Sequence, residues 1–303
     1  MGKFFELLSR KRILIADGAT GTMLQRLGLS GGRCAEEWNL KRPDLVAQIP
    51  RAYVNAGSDL VYTNTFGGNR VRLARAGLSE YLRDVNIAGA RIAKEAVGEK
   101  ALVVGSMGPT GEFIEPLGTL TASEVHSIYA EQASALLEGG ADALVLETFA
   151  SLDELIAAVD GVKSIADVPL FATLSFDMGM RTMMGVSPRE AVKVLSDLPL
   201  DAFGFNCGAD IDSALQVAEE VASYAPNDAV LIAKPNAGKP HMVSGEIVWD
   251  VTPQQMAEAA LHFAKLRFRI IGGCCGTTPE HIRAIAEALK RFRETERAND
   301  ELR

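Results

Sequence analysis

Eight short apolar runs alternate with amphipathic stretches along these 303 residues, and each run ends in polar or reactive side chains. Continuous apolar strands separated by helices indicate a parallel sheet covered by helices, and eight such units predict an α/β fold, a single (β/α)8 TIM barrel. A doubly wound open sheet is the alternative. Against it, no Gly-x-Gly-x-x-Gly follows the first run, where Asp17-Gly18-Ala19-Thr20-Gly21-Thr22 stands instead.

The first run, 13–16, ends at Asp17 and Gly18, and the second, 60–62, ends at Thr63, Asn64 and Thr65, with a helix expected over 43–56 between them. A helix over 82–97 leads to the third run, 102–105, which ends near Ser106 and Gly108. Helix 121–139 precedes the fourth run, 143–146, with Glu147 and Thr148 at its end, and helix 152–164 precedes the fifth, 170–174, with Ser175 and Asp177. Helix 188–195 leads to run 202–205 and to Asn206 and Cys207; helix 210–224 leads to run 230–233 and to Lys234 and Asn236. Helix 252–266 precedes the last run, 268–271, which opens into Gly272-Gly273-Cys274-Cys275-Gly276-Thr277-Thr278-Pro279 and a long amphipathic segment from Pro279 onward. Barrel enzymes carry their chemistry where the strands end, so all of these groups are expected around one mouth.

The vicinal pair Cys274-Cys275 lies in a glycine turn, which lets the backbone bend enough to bring both sulfurs to one centre. With Cys207 at a comparable turn, the pattern suggests a three-cysteine zinc site with one open position, as in catalytic rather than structural zinc. The competing reading is of small buried apolar side chains. There is no Cys-x-x-Cys pair of the kind structural zinc commonly uses. Cys34, in the loop before Glu36-Glu37-Trp38, falls outside this set and is expected to be a spectator.

At 48% hydrophobic and 23% charged, the chain can bury a large core in one domain. A formal charge of −8 argues against a nucleic-acid surface and leaves small molecules or proteins as partners. The opening stretch 1–12 mixes Phe4, Phe5, Leu7 and Leu8 with charges and has no secretory pattern, and no apolar run approaches membrane-spanning length. Four cysteines without a disulfide framework suit a cytoplasmic protein.

The chain resembles the homocysteine S-methyltransferase family, zinc-dependent enzymes that include the homocysteine-binding module of cobalamin-dependent methionine synthase. The likeness covers nearly the whole chain through Asp17-Gly18-Ala19-Thr20-Gly21-Thr22, Thr63-Asn64-Thr65-Phe66, Gly108-Pro109-Thr110-Gly111, Glu147-Thr148-Phe149, Gly204-Phe205-Asn206-Cys207, Pro235-Asn236-Ala237-Gly238 and Gly272-Gly273-Cys274-Cys275-Gly276-Thr277. Each motif is weak alone; their order and joint presence are specific. The resemblance implies a (β/α)8 barrel, placed over residues 1–290, while the tail 291–303 is charged and low in apolar content and reads as a helix end fraying into solvent or a linker remnant. It also implies zinc on Cys207, Cys274 and Cys275, and methyl transfer to the homocysteine thiol to give methionine. Zinc would deprotonate that thiol and keep its sulfur nucleophilic.

For the amino-acid end, Glu147 is the expected acceptor of the substrate ammonium, with Asp17 second, and either carboxylate could instead serve only a structural ion pair. Backbone N–H groups around Gly18, Ala19 and Thr20 could take the carboxylate, while Asn64, Thr65 and Asn206 would orient the site or satisfy loop backbone. The motifs favour a methyl-corrinoid donor, methylcobalamin or a corrinoid protein docking in trans, or the chain is a module of a longer protein. Betaine, S-methylmethionine and S-adenosylmethionine are the alternative donors, and a non-catalytic zinc-binding barrel is the alternative of another class. Trp38 is expected to pack rather than cage a cationic donor. His126, His241, His262 and His281 are read as surface or packing residues, and Met178, Met180, Met183 and Met184 as an apolar loop after the fifth strand.

Overall fold

The computed structural model describes residues 2–208, 210–243 and 246–301. Its eight barrel strands are β1 (Leu14–Ile15), β2 (Leu60–Tyr62), β3 (Leu102–Met107), β4 (Ala143–Phe149), β5 (Leu170–Leu174), β6 (Ala202–Cys207), β7 (Leu231–Pro235) and β10 (Phe268–Ile271). Seven consecutive parallel pairings carry the sheet from β2 through β7 to β10 and β1. A parallel bridge between Ala16 and Leu60 brings the two edges together, supported by the Asp59 N–H donating to the Ile15 carbonyl at 2.7 Å. The eight expected strands are all present, in a (β/α)8 barrel.

Strand side chains alternate between faces, so a strand covered on both sides is apolar throughout. Leu14, Leu60, Val104, Val145, Phe171, Ile232 and Ile270 form the buried barrel interior. Their alternates, among them Ile15, Leu144, Ala172, Phe205, Ala233 and Ile271, pack in the layer that includes the helices. This pattern explains why the strands read as continuous apolar runs rather than polar-apolar alternation.

Three features depart from the sequence expectation. The opening stretch forms a helix, Lys3–Lys11, and its Phe4 and Leu8, one helical turn apart, join the interior cluster. Phe4 meets Phe171 with ring centroids 4.8 Å apart, so the helix plugs the barrel with an apolar face whose charged residues lie opposite. Between β7 and β10 lies an antiparallel hairpin, β8 (Pro240–Val243) and β9 (Glu246–Trp249), for which the sequence reading named no element. Finally, 43–56 is two helices, Pro43–Val46 and Gln48–Ala56, rather than one.

The last helix, Pro279–Glu301, crosses residue 290 without a break. Beyond that point Phe292 still packs on the core and the Arg293 guanidinium donates to the Ile13 carbonyl at 3.1 Å. Residues 302–303 of the charged tail lie outside the described residues. No described helix is long and apolar enough to cross a membrane.

Candidate active site

The strand ends surround a cavity of about 400 Å³, within the ~300–1,000 Å³ range of small-molecule sites. One wall is sulfur. β6 ends in Cys207, and the turn after β10 presents Cys274 and Cys275, placing the three Sγ atoms within 4.8 Å of one another. Cys207 adopts φ 63°, a left-handed conformation uncommon outside glycine, and Gly208 follows at φ 91°. That reversal turns the chain at the mouth instead of extending the strand. Gly276 has φ 77°, and a Cβ there would stand 2.3 Å from the Trp249 side chain, so glycine is required twice over. The hairpin's Trp249 thereby covers the turn that carries the paired thiols.

Asn236 fastens the two thiol-bearing segments together. Its Oδ1 accepts the Cys275 N–H at 3.0 Å and its Nδ2 donates to the Gly208 carbonyl at 2.7 Å, while the Cys274 N–H donates to the Pro235 carbonyl at 2.7 Å. The thiols themselves are mutually coupled. A hydrogen bond with Cys274 favours ionisation of Cys207, but a second with Cys275, together with burial, wins and pushes Cys207 up to about 12. Cys274 is raised by its hydrogen bond to Cys207 and by burial. Cys275 is raised as well: its hydrogen bond with Cys207 acts downward, and the bond to Cys274 and that neighbour's charge outweigh it. Burial and mutual proximity thus disfavour three thiolates here unless a cation balances them. Tetrahedral zinc with Zn–S of ~2.3 Å sets ligand sulfurs roughly 3.8 Å apart, a spacing the cluster can meet with small side-chain adjustments, so the donor set fits zinc.

A second part of the lining carries a carboxylate. Glu147, near the end of β4, accepts a hydrogen bond from the Ser106 hydroxyl at the end of β3. Burial raises its pKa, opposed by the Lys234 cation and the Ser106 hydrogen bond. Asn206 lies between the two walls, its Nδ2 3.4 Å from Glu147 Oε2 and 3.7 Å from Cys274 Sγ.

The cavity floor holds a buried ion pair. Lys234 Nζ donates to Asp17 Oδ1 at 2.7 Å and to the Asp17 carbonyl at 3.2 Å, with the two side chains 3% and 1% exposed. It also sits 3.7 Å from the centroid of the Tyr62 ring. The second oxygen of Asp17 accepts the Tyr62 N–H at 2.7 Å. Both oxygens of Asp17 are thus engaged within the fold and it is not among the cavity-lining residues, whereas Glu147 is.

Gly18, Ala19 and Thr20 all line the cavity. A Cβ on Gly18 would lie 2.6 Å from the Thr277 carbonyl, so the two turns can approach only through glycine. The Ala19 N–H donates to the Thr277 carbonyl at 3.0 Å, which removes it as an anion donor and leaves the first turn of the helix Thr20–Arg26. Asn64 lines the cavity and is held by bonds to the Ala35 carbonyl and Asn39. Thr65 lies behind the wall, donating to the Ser106 carbonyl at 2.7 Å, and acts as a buttress. Of the remaining candidates, Cys34 donates to Glu36 outside the thiol cluster. Trp38 packs on the core with Arg42 over its ring, and none of the four histidines lines the cavity. Ser106, Lys234 and Asn236 were visible as strand-end groups; their roles depend on partners distant in sequence.

A family model described as Homocysteine S-methyltransferase matches residues 14–289. Methionine synthase of Mycobacterium tuberculosis is 33% identical over 308 residues, covering 95% of this chain and 25% of that protein. The Mycobacterium leprae methionine synthase is 33% identical over 302 residues, covering 93% and 24%. The chain thus spans about a quarter of the length of these curated relatives. Among solved structures, the metallated form of the Escherichia coli homocysteine methyltransferase MmuM superposes with a TM-score of 0.79 at 22% identity, over 93% of this chain and 98% of that one. The oxidized form gives 0.78 at 23%, over 93% and 97%. At these identities the structural likeness establishes the shared fold.

Proposed function

The chain belongs to the homocysteine S-methyltransferase family, and from that premise we propose that it transfers a methyl group to the sulfur of homocysteine, giving methionine, with zinc held by Cys207, Cys274 and Cys275. The observation that carries this reading is one cavity lined both by three thiols within 4.8 Å of one another and by Glu147, with Asn206 Nδ2 between them at 3.7 Å from Cys274 Sγ and 3.4 Å from Glu147 Oε2. An amino acid bearing a terminal thiol has one group for each end. Zinc bound there would supply the positive charge that draws the proton from the substrate thiol and holds the sulfur as a nucleophilic thiolate.

The protein's own groups then bind and orient. Glu147 takes the substrate ammonium, and the first-turn N–H groups of the helix Thr20–Arg26 face the carboxylate. Asn236 keeps the two thiol-bearing turns in register. A methyl-corrinoid is the donor this reading favours, carried by a partner protein or by a further part of a longer chain, in keeping with curated relatives that are methionine synthases of about four times this length.

Glu147→Gln tests the substrate assignment apart from the metal. A neutral amide loses the charge assistance of a bond to the ammonium, worth roughly 1.5–3 kcal/mol, or about 10- to 150-fold in affinity. Calorimetry on zinc-loaded protein should show that loss for homocysteine with zinc content unchanged. Equal affinity in parent and variant would remove Glu147 from the substrate site.

A further inference from the structure

We propose that Asn206 is a positioning residue that fixes the separation between the two ends of the substrate site, and so sets the preference for homocysteine over cysteine, its homologue one methylene shorter. This rests on the reading that Glu147 takes the ammonium and the cysteine cluster takes the sulfur. Asn206 is 1% exposed, and an amide of this kind offers two acceptor sites and two N–H donors. Both acceptor sites are filled, by the Thr148 N–H at 2.9 Å and the Thr173 hydroxyl at 2.7 Å. One donor goes to the Thr148 hydroxyl at 2.6 Å. The other is left between Glu147 Oε2 and Cys274 Sγ, at 3.4 and 3.7 Å. A single N–H therefore bridges the carboxylate wall and the sulfur wall.

The backbone on either side leaves little freedom for that bridge to shift. Thr148, which follows Glu147, has φ 66°, and Cys207, which follows Asn206, has φ 63°. Left-handed backbone is unfavourable for any residue with a Cβ and more so for β-branched threonine, so it persists only where the surroundings over-determine it. Here the surroundings include both faces of the Asn206 amide, bonded to the main chain and the hydroxyl of Thr148 at once. One side chain thus holds the strand end that presents the carboxylate and continues directly into a sulfur ligand. A site whose ends are pinned in this way discriminates by chain length: a ligand one methylene short cannot reach both ends. One methylene is worth about 10- to 200-fold in selectivity in fitted sites.

The test is the ratio of L-homocysteine to L-cysteine affinity, measured by calorimetry on zinc-loaded parent and on Asn206→Asp, with zinc content and melting temperature recorded for each. The Asp substitution keeps oxygen acceptors for Thr148 and Thr173 and removes the N–H between Glu147 and Cys274. The inference expects the homocysteine preference to fall by about 10-fold or more while zinc is retained; the melting temperature should fall, because the new carboxylate is buried beside Glu147. Both ligands weakening by the same factor, or neither changing, overturns it and leaves Asn206 a structural residue. A parent that binds neither amino acid overturns the substrate reading instead, and this inference with it. Should the Asp variant fail to fold, the same ratio in Asn206→Ala decides.

Discussion

Cys274→Ser is expected to abolish stoichiometric zinc and the proposed methyl transfer to homocysteine, as are Cys207→Ser and Cys275→Ser. A serine hydroxyl at neutral pH offers no anion to replace the thiolate, and removing one of three ligands leaves only two sulfurs to hold the ion. Loss of a group that merely supports a metal ligand costs about 10- to 100-fold in affinity; loss of the ligand itself should exceed that range. The parent should hold about one zinc per chain, and the three variants should fall well below it at equal protein. Each thiol is needed because the sulfurs form one cluster within 4.8 Å, with no other described His, Cys, Asp or Glu group placed to substitute. Metal analysis of dialysed protein checks this, and undiminished zinc in all three variants would remove the metal centre from the account.

Lys234→Met is expected to lower stability by about 3–5 kcal/mol, the usual penalty when one partner of a buried ion pair is removed and the other left charged. Asp17 is the stranded group: 1% exposed, with only the Tyr62 N–H remaining on its carboxylate. Methionine retains most of the lysine's apolar volume, so the effect reports charge more than packing. At about 2–4 °C per kcal/mol for a larger domain, the melting temperature should drop by roughly 6–20 °C. Replacing both partners, Lys234→Met with Asp17→Asn, should recover part of that loss, because no uncompensated charge then remains. A single variant that melts with the parent would mean that the pair at the cavity floor contributes nothing to holding the ends of β1 and β7 together.

The strands were legible because burial on both faces forces apolar side chains along their length, and the site was legible because each strand then stops at a polar group. Glu147, Asn206 and the cysteines all lie at such stops; the structure brings Glu147 and the three cysteines to one cavity, with Asn206 buried between them. The sequence reading ranked Glu147 ahead of Asp17, but the engagement of Asp17 within the fold was not legible. Asp17 and Glu147 both end strands, and only the pairing of Asp17 with Lys234, 217 residues away, separates their roles. The Lys3–Lys11 helix was missed for a related reason: Phe4 and Leu8 have the spacing of an amphipathic turn, but their partners Phe171 and Ile232 belong to strands far along the chain. The hairpin of β8 and β9 gave little signal because its strands are four residues each. Ala19 illustrates a finer limit, since its N–H is taken by Thr277 through a contact that only the folded glycine turns permit.

If homocysteine binds this site as a thiolate, its binding releases a proton that can be counted. A free thiol with a pKa near ~8.5 is mostly protonated at pH 7, so binding as the anion must release its proton. Glu147 complicates a single measurement: burial raises its pKa, and an arriving ammonium lowers it again, which can release further proton from the carboxyl itself. Methionine carries the same ammonium and carboxylate but only a neutral thioether, so it shares the Glu147 contribution and lacks the thiol proton. The measurement is the dependence of binding enthalpy on buffer ionisation enthalpy, for homocysteine and methionine on the same zinc-loaded protein. Homocysteine should release about one proton more than methionine; equal release by the two ligands would contradict thiolate capture at the cysteine cluster and favour a non-catalytic barrel.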